Sequence, residues 1–135
     1  MLKKTLGCVA LLSVWLIAAG SLLAHHSLAG VYDMKAEKEL SGTVDKVQFT
    51  NPHGSLSVNV KDQDGKETTW VLTLGSATAL AQRGVGKIGP NALHQGDSVT
   101  VKFIPAKNGS PLGFLKAVKY ADGHEIVVSG GNPND

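Results

Sequence analysis

A chain of 135 residues, 42% hydrophobic and 18% charged, is long enough for one small domain and too short for several. Its single cysteine excludes a disulfide framework. Its formal charge of +2 includes no Lys/Arg cluster after Lys3-Lys4, so nucleic acid is not an expected partner.

The basicity belongs to the start of the chain. Met1-Leu2-Lys3-Lys4 is a short positive stretch, and Leu6 to Ala19 is apolar apart from Gly7 and Ser13. Gly20-Ser21-Leu22-Leu23-Ala24 then offers a small residue to signal peptidase. This order predicts a secretory signal peptide over residues 1–24, cut after Ala24, because the apolar run falls short of the ~20 residues of a membrane span. Gly20 is a weaker cut site. An uncleaved anchor is one competing reading and a lipobox at Cys8 another, but a lipobox cysteine follows the apolar run and Cys8 precedes most of it. Losing Lys3 and Lys4 brings the 13 basic residues level with the 11 acidic ones. Cys8 leaves as well, so the mature chain has neither disulfide nor thiolate chemistry. About 110 residues remain, enough for one core without staples and with no further membrane span.

Residues 25–37 read as a polar, irregular N-terminal arm, and organised structure starts near Lys38. Leu40, Gly42 and Val44 share one phase of a period-2 pattern, while Val47 and Phe49 share the other. That phase change within one strand predicts a β-bulge. Asn51-Pro52-His53-Gly54 ends the strand as a turn. Leu56, Val58 and Val60, then Trp70 and Leu72, alternate with polar or outward residues around Asp62-Gln63-Asp64-Gly65, which predicts a hairpin. Trp70 falls in strand phase and reads as core rather than as a ligand platform.

Ser76 is a candidate N-cap for a short helix from Ala77 to about Arg83, with Leu80 facing the core. Pro90 to Gln95 reads as one helical turn. Val99, Val101 and Phe103 mark the next strand. Residues 113–120 follow, with Phe114, Val118 and Tyr120 in one phase, and a last short strand runs from Glu125 to Val128. Residues 130–135 read as a disordered tail. The order predicts a mostly β domain over residues 38–129. It would be a five- to six-stranded OB-like barrel with one short helix between strands 3 and 4, and a small β-sandwich is the alternative.

The chemistry rests on histidines. A cut after Ala24 makes His25 the first residue, so its α-amine and imidazole can chelate one metal. Such nitrogen ligands favour Cu(II), with Zn(II) and Ni(II) behind it. His26 adds a second imidazole, and His53 lies at the end of the first strand in a loop of the kind that carries sites on barrels. His25, His26 and His53 are therefore the candidate metal ligands and copper the candidate cofactor. The bland alternative is that these are solvated polar residues and a turn residue. His94 and His124 are explained by exposure. No catalytic residues are assigned. The serines lack a nucleophile-elbow context, Asp62 and Asp64 lack the other ligands of a calcium loop, and Gly84-Val85-Gly86 follows a helix instead of opening one. Two further readings stand beside metal binding. One is a small interaction module holding a partner protein or a small envelope molecule near Asn51-Pro52-His53 and Pro105 to Pro111. The other is an oxidase with an N-terminal copper site.

The chain also resembles a family of small exported bacterial proteins carrying domain of unknown function 6152. The resemblance rests on Ala24-His25-His26-Ser27, Gly42-Thr43-Val44, Thr50-Asn51-Pro52-His53, Asp62-Gln63-Asp64-Gly65-Lys66, Trp70, Leu74-Gly75-Ser76, Arg83-Gly84 and Gly96-Asp97. It covers nearly the whole mature chain. It implies a periplasmic home in Gram-negative bacteria and a β-barrel-like fold, and it supplies no activity. That family's pattern carries a bulky residue after the histidine of the Asn-Pro-His turn, where this chain has Gly54-Ser55.

Overall fold

The computed structural model describes residues 29–129. The predicted signal peptide, His25, His26 and the tail lie outside the described residues. From Tyr32 onward the chain builds β1 (Lys38–Gln48), β2 (Ser55–Lys61), β3 (Glu67–Thr73), α1 (Ala77–Gln82), β4 (Val85–Gly86), β5 (Asn91–Ala92), β6 (Ser98–Pro105), β7 (Leu112–Tyr120) and β8 (Glu125–Val127).

Five of these strands close into a barrel. The sheet runs β3-β2-β1-β6-β7-β8, and a parallel pairing of β3 with β7 joins its ends while β8 adds to the outside of β7. Strand β1 makes closure possible by using both edges. Its residues 38–43 pair with β6 and its residues 43–48 with β2. The bend between these halves comes at the predicted bulge. The register slips between Val44 and Lys46, leaving Asp45 without a partner on β2. The barrel, with α1 between its third and fourth strands, is therefore of the OB type expected from the sequence.

Closure also needs close approach where β3 meets β7. Leu72 pairs with Gly113 there. A Cβ on Gly113 would collide with the Phe103 ring and come within 2.9 Å of Leu72 Cδ2, so only glycine lets the two strands and the ring share this point.

The barrel interior is apolar. Val44, Leu56, Val58, Leu72, Val101 and Phe103 are almost fully buried, and Leu80 from α1 joins the same cluster. Helix α1 starts as predicted, with Ser76 Oγ accepting a hydrogen bond from the Ala79 N–H. Trp70 is partly buried at the rim of this core. Its ring lies 5.1 Å from that of Phe103, and Lys38 Nζ sits 5.4 Å from its centroid.

Three expectations are corrected. Pro90 to Gln95 is not a helical turn. Asn91–Ala92 forms a two-residue parallel ladder with Val85–Gly86, because the Leu93 N–H bonds to the Gly86 carbonyl and Leu93 packs into the core. Phe114 does not share the interior with Val118. A second register slip, opposite Lys102 and Phe103, leaves Lys116 unpaired on β6 and turns Leu115 inward. Phe114 is buried against the ring of Tyr32 instead, 6.0 Å between centroids.

Nor is the arm wholly polar and irregular. Tyr32 is buried, forms an antiparallel bridge with Ala106, and its Oη lies 2.9 Å from Thr73 Oγ1. The next residue continues the attachment, the Asp33 N–H donating to the Pro105 carbonyl at 2.9 Å.

Candidate functional site

The turn between β1 and β2 is stitched to the junction of β3 with α1. The Gly54 N–H donates to the Gly75 carbonyl at 3.1 Å, the Leu74 N–H donates to the Gly54 carbonyl at 2.9 Å, and the Ala77 N–H donates to the Thr50 carbonyl at 3.2 Å. Within the turn, Thr50 Oγ1 donates to the His53 carbonyl at 2.8 Å, and the Asn51–Pro52 peptide is cis. Gly54 is buried, and a Cβ there would run into the carbonyl oxygen of Gln48. This contact is why a glycine follows His53. The strand ends cross too closely for a side chain, so the backbone is held directly against its neighbours.

The stitched backbone presents His53 to solvent. The residue is exposed, and its ring makes no hydrogen bond or ion pair within the described residues. His94 and His124 differ. His94 Nε2 lies 3.0 Å from the Lys87 carbonyl, and its Nδ1 faces Asp97 at 3.7 Å.

His124 is enclosed further. Its Nδ1 contacts Asp122 Oδ1 and its Nε2 lies 3.1 Å from Asn91 Oδ1. Its ring stacks on Tyr120, 4.3 Å between centroids and 5° from parallel. The Tyr120 hydroxyl donates to the Asn91 carbonyl at 2.7 Å, and burial, with Asp97 adding a smaller push, moves its pKa up to about 12. The Asp122 carboxyl is held below its ordinary value, first by the His124 backbone N–H and then by the imidazole. A ring donating from both nitrogens is an imidazolium. A neutral ring keeps both bonds if Asn91 turns its amide over and donates to Nε2. In either form this cluster ties the β7–β8 turn to the segment after α1. That arrangement needs tertiary contacts between residues 33 positions apart, and the sequence carries no sign of it beyond Asp122 near His124.

Of the three candidate ligands, only His53 is among the described residues. Within them no three His, Cys, Asp or Glu side chains gather as a metal would require. No helix among them is long and apolar enough to cross a membrane. Charged side chains on the outer wall pair with one another instead. Lys102 reaches Glu125 at 3.1 Å and Glu39 at 3.7 Å, and Lys116 pairs with Glu37. The Lys116 ammonium holds the Glu37 carboxyl below its ordinary value.

Two shallow cavities flank Tyr120. One of about 510 Å³ is lined by Ser41, Thr43, Thr100 and Lys119, and one of about 290 Å³ by Pro90, Asp97, Asp122 and His124. Neither contains His53.

None of the curated proteins compared with the chain, and none of the solved structures, matches it. A family model does. The family of unknown function DUF6152 matches residues 13–117, most of the sequence and four of the five barrel strands in full, and the chain belongs to that family.

Proposed function

We propose that the protein is exported, cut after Ala24, and acts in the periplasm as a small non-enzymatic accessory protein that binds a transition metal, Cu(II) before Zn(II) or Ni(II). The ligands are the α-amine and imidazole of His25, the imidazole of His26 and the imidazole of His53. The observation that carries the proposal is the state of the His53 ring: it is exposed and, among the described residues, unengaged on a backbone stitched down on both sides, while the rings of His94 and His124 are both in use.

The chemistry agrees with that ring being a ligand. An amine and an imidazole on one residue close a chelate ring. Neutral nitrogen donors suit Cu(II), and each must shed its proton before it binds.

Protein secreted through its own signal, with its N-terminus checked by intact mass, is titrated with Cu(II) against a competing chelator. Three comparisons run beside it: a synthetic peptide of residues 25–37, the variant His53→Ala, and the mature chain extended by one alanine. The expected order is intact protein tightest, with the peptide and His53→Ala each at least tenfold weaker and the extended chain weaker still. Equal affinity of peptide and protein would leave only an N-terminal peptide chelate and overturn the proposal.

A further inference from the structure

We propose that the loop between β6 and β7 carries a self-modification site: Asn108 cyclises onto the Gly109 nitrogen and loses its side-chain amide, with Ser110 polarising the group that reacts. This inference is independent of the metal reading. Asn108 Oδ1 accepts two hydrogen bonds from one residue, from the Ser110 N–H at 3.0 Å and from Ser110 Oγ at 2.6 Å. Both donors draw electron density out of the Cγ carbonyl, and both are aimed at the oxygen that becomes negative when Cγ is attacked. Gly109, the next residue, supplies the attacking nitrogen. It has no side chain to crowd the five-membered ring that forms, and its φ of 76° is one that other residues rarely adopt. Its N–H is held loosely, by the Ala106 carbonyl at 3.3 Å, beyond the roughly 2.7–3.2 Å of an ordinary N–H···O bond. Asn108 and Gly109 are both exposed, so base and water reach them.

Water is the only co-reactant. Base takes the Gly109 amide proton, the nitrogen bonds to Asn108 Cγ, and an electron pair moves onto Oδ1, where the two Ser110 donors stabilise it. Collapse breaks the Cγ–Nδ2 bond, and the departing nitrogen takes up a proton and leaves as ammonia. Water then opens the resulting succinimide at either carbonyl, giving aspartate or isoaspartate at position 108. The other described asparagines lack this arrangement. Asn51 precedes Pro52, which has no N–H. Asn59 precedes the β-branched Val60 within β2, and its Oδ1 accepts from Thr69. Asn91 precedes Ala92, whose N–H donates to the Gly89 carbonyl, and its own side chain faces His124. The loop spans two attachments of the barrel. The Ala106 N–H donates to the Leu112 carbonyl, and the Pro111 carbonyl accepts from the Val71 N–H at 3.0 Å beside the β3–β7 seam. Isoaspartate inserts a methylene into the main chain between Ala106 and Pro111, whereas aspartate keeps the backbone and adds a negative charge.

The test ages the intact protein in mildly alkaline buffer beside the same chain unfolded in urea. Position 108 is followed by peptide mapping with mass spectrometry, and isoaspartate by its enzymatic methylation. The folded protein is expected to turn acidic at position 108 at least as fast as the unfolded chain. Ser110→Ala is expected to slow the folded protein about two- to tenfold, the worth of one hydrogen bond, and to leave the rate in urea unchanged. Ser110→Thr, which keeps the hydroxyl, is expected to restore the folded rate. An amide that survives in the folded protein while the unfolded chain loses it overturns the proposal, because the fold then protects the site. A folded Ser110→Ala that reacts as fast as the unchanged protein, or faster, overturns it too, because the Ser110 hydroxyl then contributes nothing. Should Ser110→Ala not fold, the comparison of the folded and unfolded unchanged chains decides alone.

Discussion

Tyr32 and Thr73 are 41 positions apart and share a hydrogen bond of 2.9 Å between side-chain oxygens. One comes from a stretch with no strand pattern, the other from the outward phase of β3. Their contact attaches the stretch before β1 to the barrel wall at Thr73, whose strand partner Ser55 follows the β1–β2 turn. It also accounts for Phe114, a large apolar residue that faces away from the barrel interior and is covered by the Tyr32 ring.

Gly54→Ala tests the stitched turn. The added Cβ meets the Gln48 carbonyl, which is backbone and cannot swing aside. A loss of about 1–3 kcal/mol is expected, as for other overpacked sites. Thermal unfolding followed by circular dichroism should show a midpoint roughly 5–15 °C lower. An unchanged midpoint would mean that the turn relaxes freely.

Phe103→Ala tests the barrel core. The ring fills the space beside Gly113, Leu72 and Trp70 and is fully buried. Its removal should cost about 3–5 kcal/mol in urea unfolding, a large part of the stability of a domain this size. The Trp70 fluorescence should change in the folded state, because its ring partner is gone.

Alkaline pH should weaken the fold through Tyr120. Its pKa is raised from 10.0 to about 12, so the folded state holds the proton more tightly than the unfolded chain. That contribution is complete below pH 10 and is lost as pH climbs through 12. The residue is partly exposed, so solvent screening reduces the effect to the order of 1 kcal/mol. Unfolding midpoints measured from pH 9 to pH 12 should fall less in Tyr120→Phe than in the unchanged protein. Equal slopes would remove Tyr120 from the account.

His124 and Asn91 should be energetically coupled. A double-mutant cycle with His124→Ala and Asn91→Ala is expected to give about 0.5–1.5 kcal/mol, the usual net value of one hydrogen bond. Additive losses would show that the 3.1 Å contact contributes nothing.

Much of the barrel was legible in the sequence because side-chain phase is local. The switch from Val44 to Val47 announced the bulge, and Ser76 before Ala77 announced the cap; both follow from backbone geometry within a few residues. The second slip, at Lys116, left no such mark. Phe114 and Leu115 are both apolar, so either phase reads as a strand, and only pairing with Phe103 and Ile104 decides which faces inward. Asn91–Ala92 was misread for a related reason: a two-residue ladder has no period to detect.

The sequence by itself determined the order of the barrel strands, the bulge in the first of them, the helix that follows the third, and His53 in the turn after the first, since each depends on neighbours in the chain. Tertiary structure alone decided which histidine rings are engaged, why Gly54 must lack a side chain, and where the arm is fixed. Those facts depend on contacts with Asn91, Gln48 and Thr73, which strand pairing and folding create and which no side-chain phase encodes.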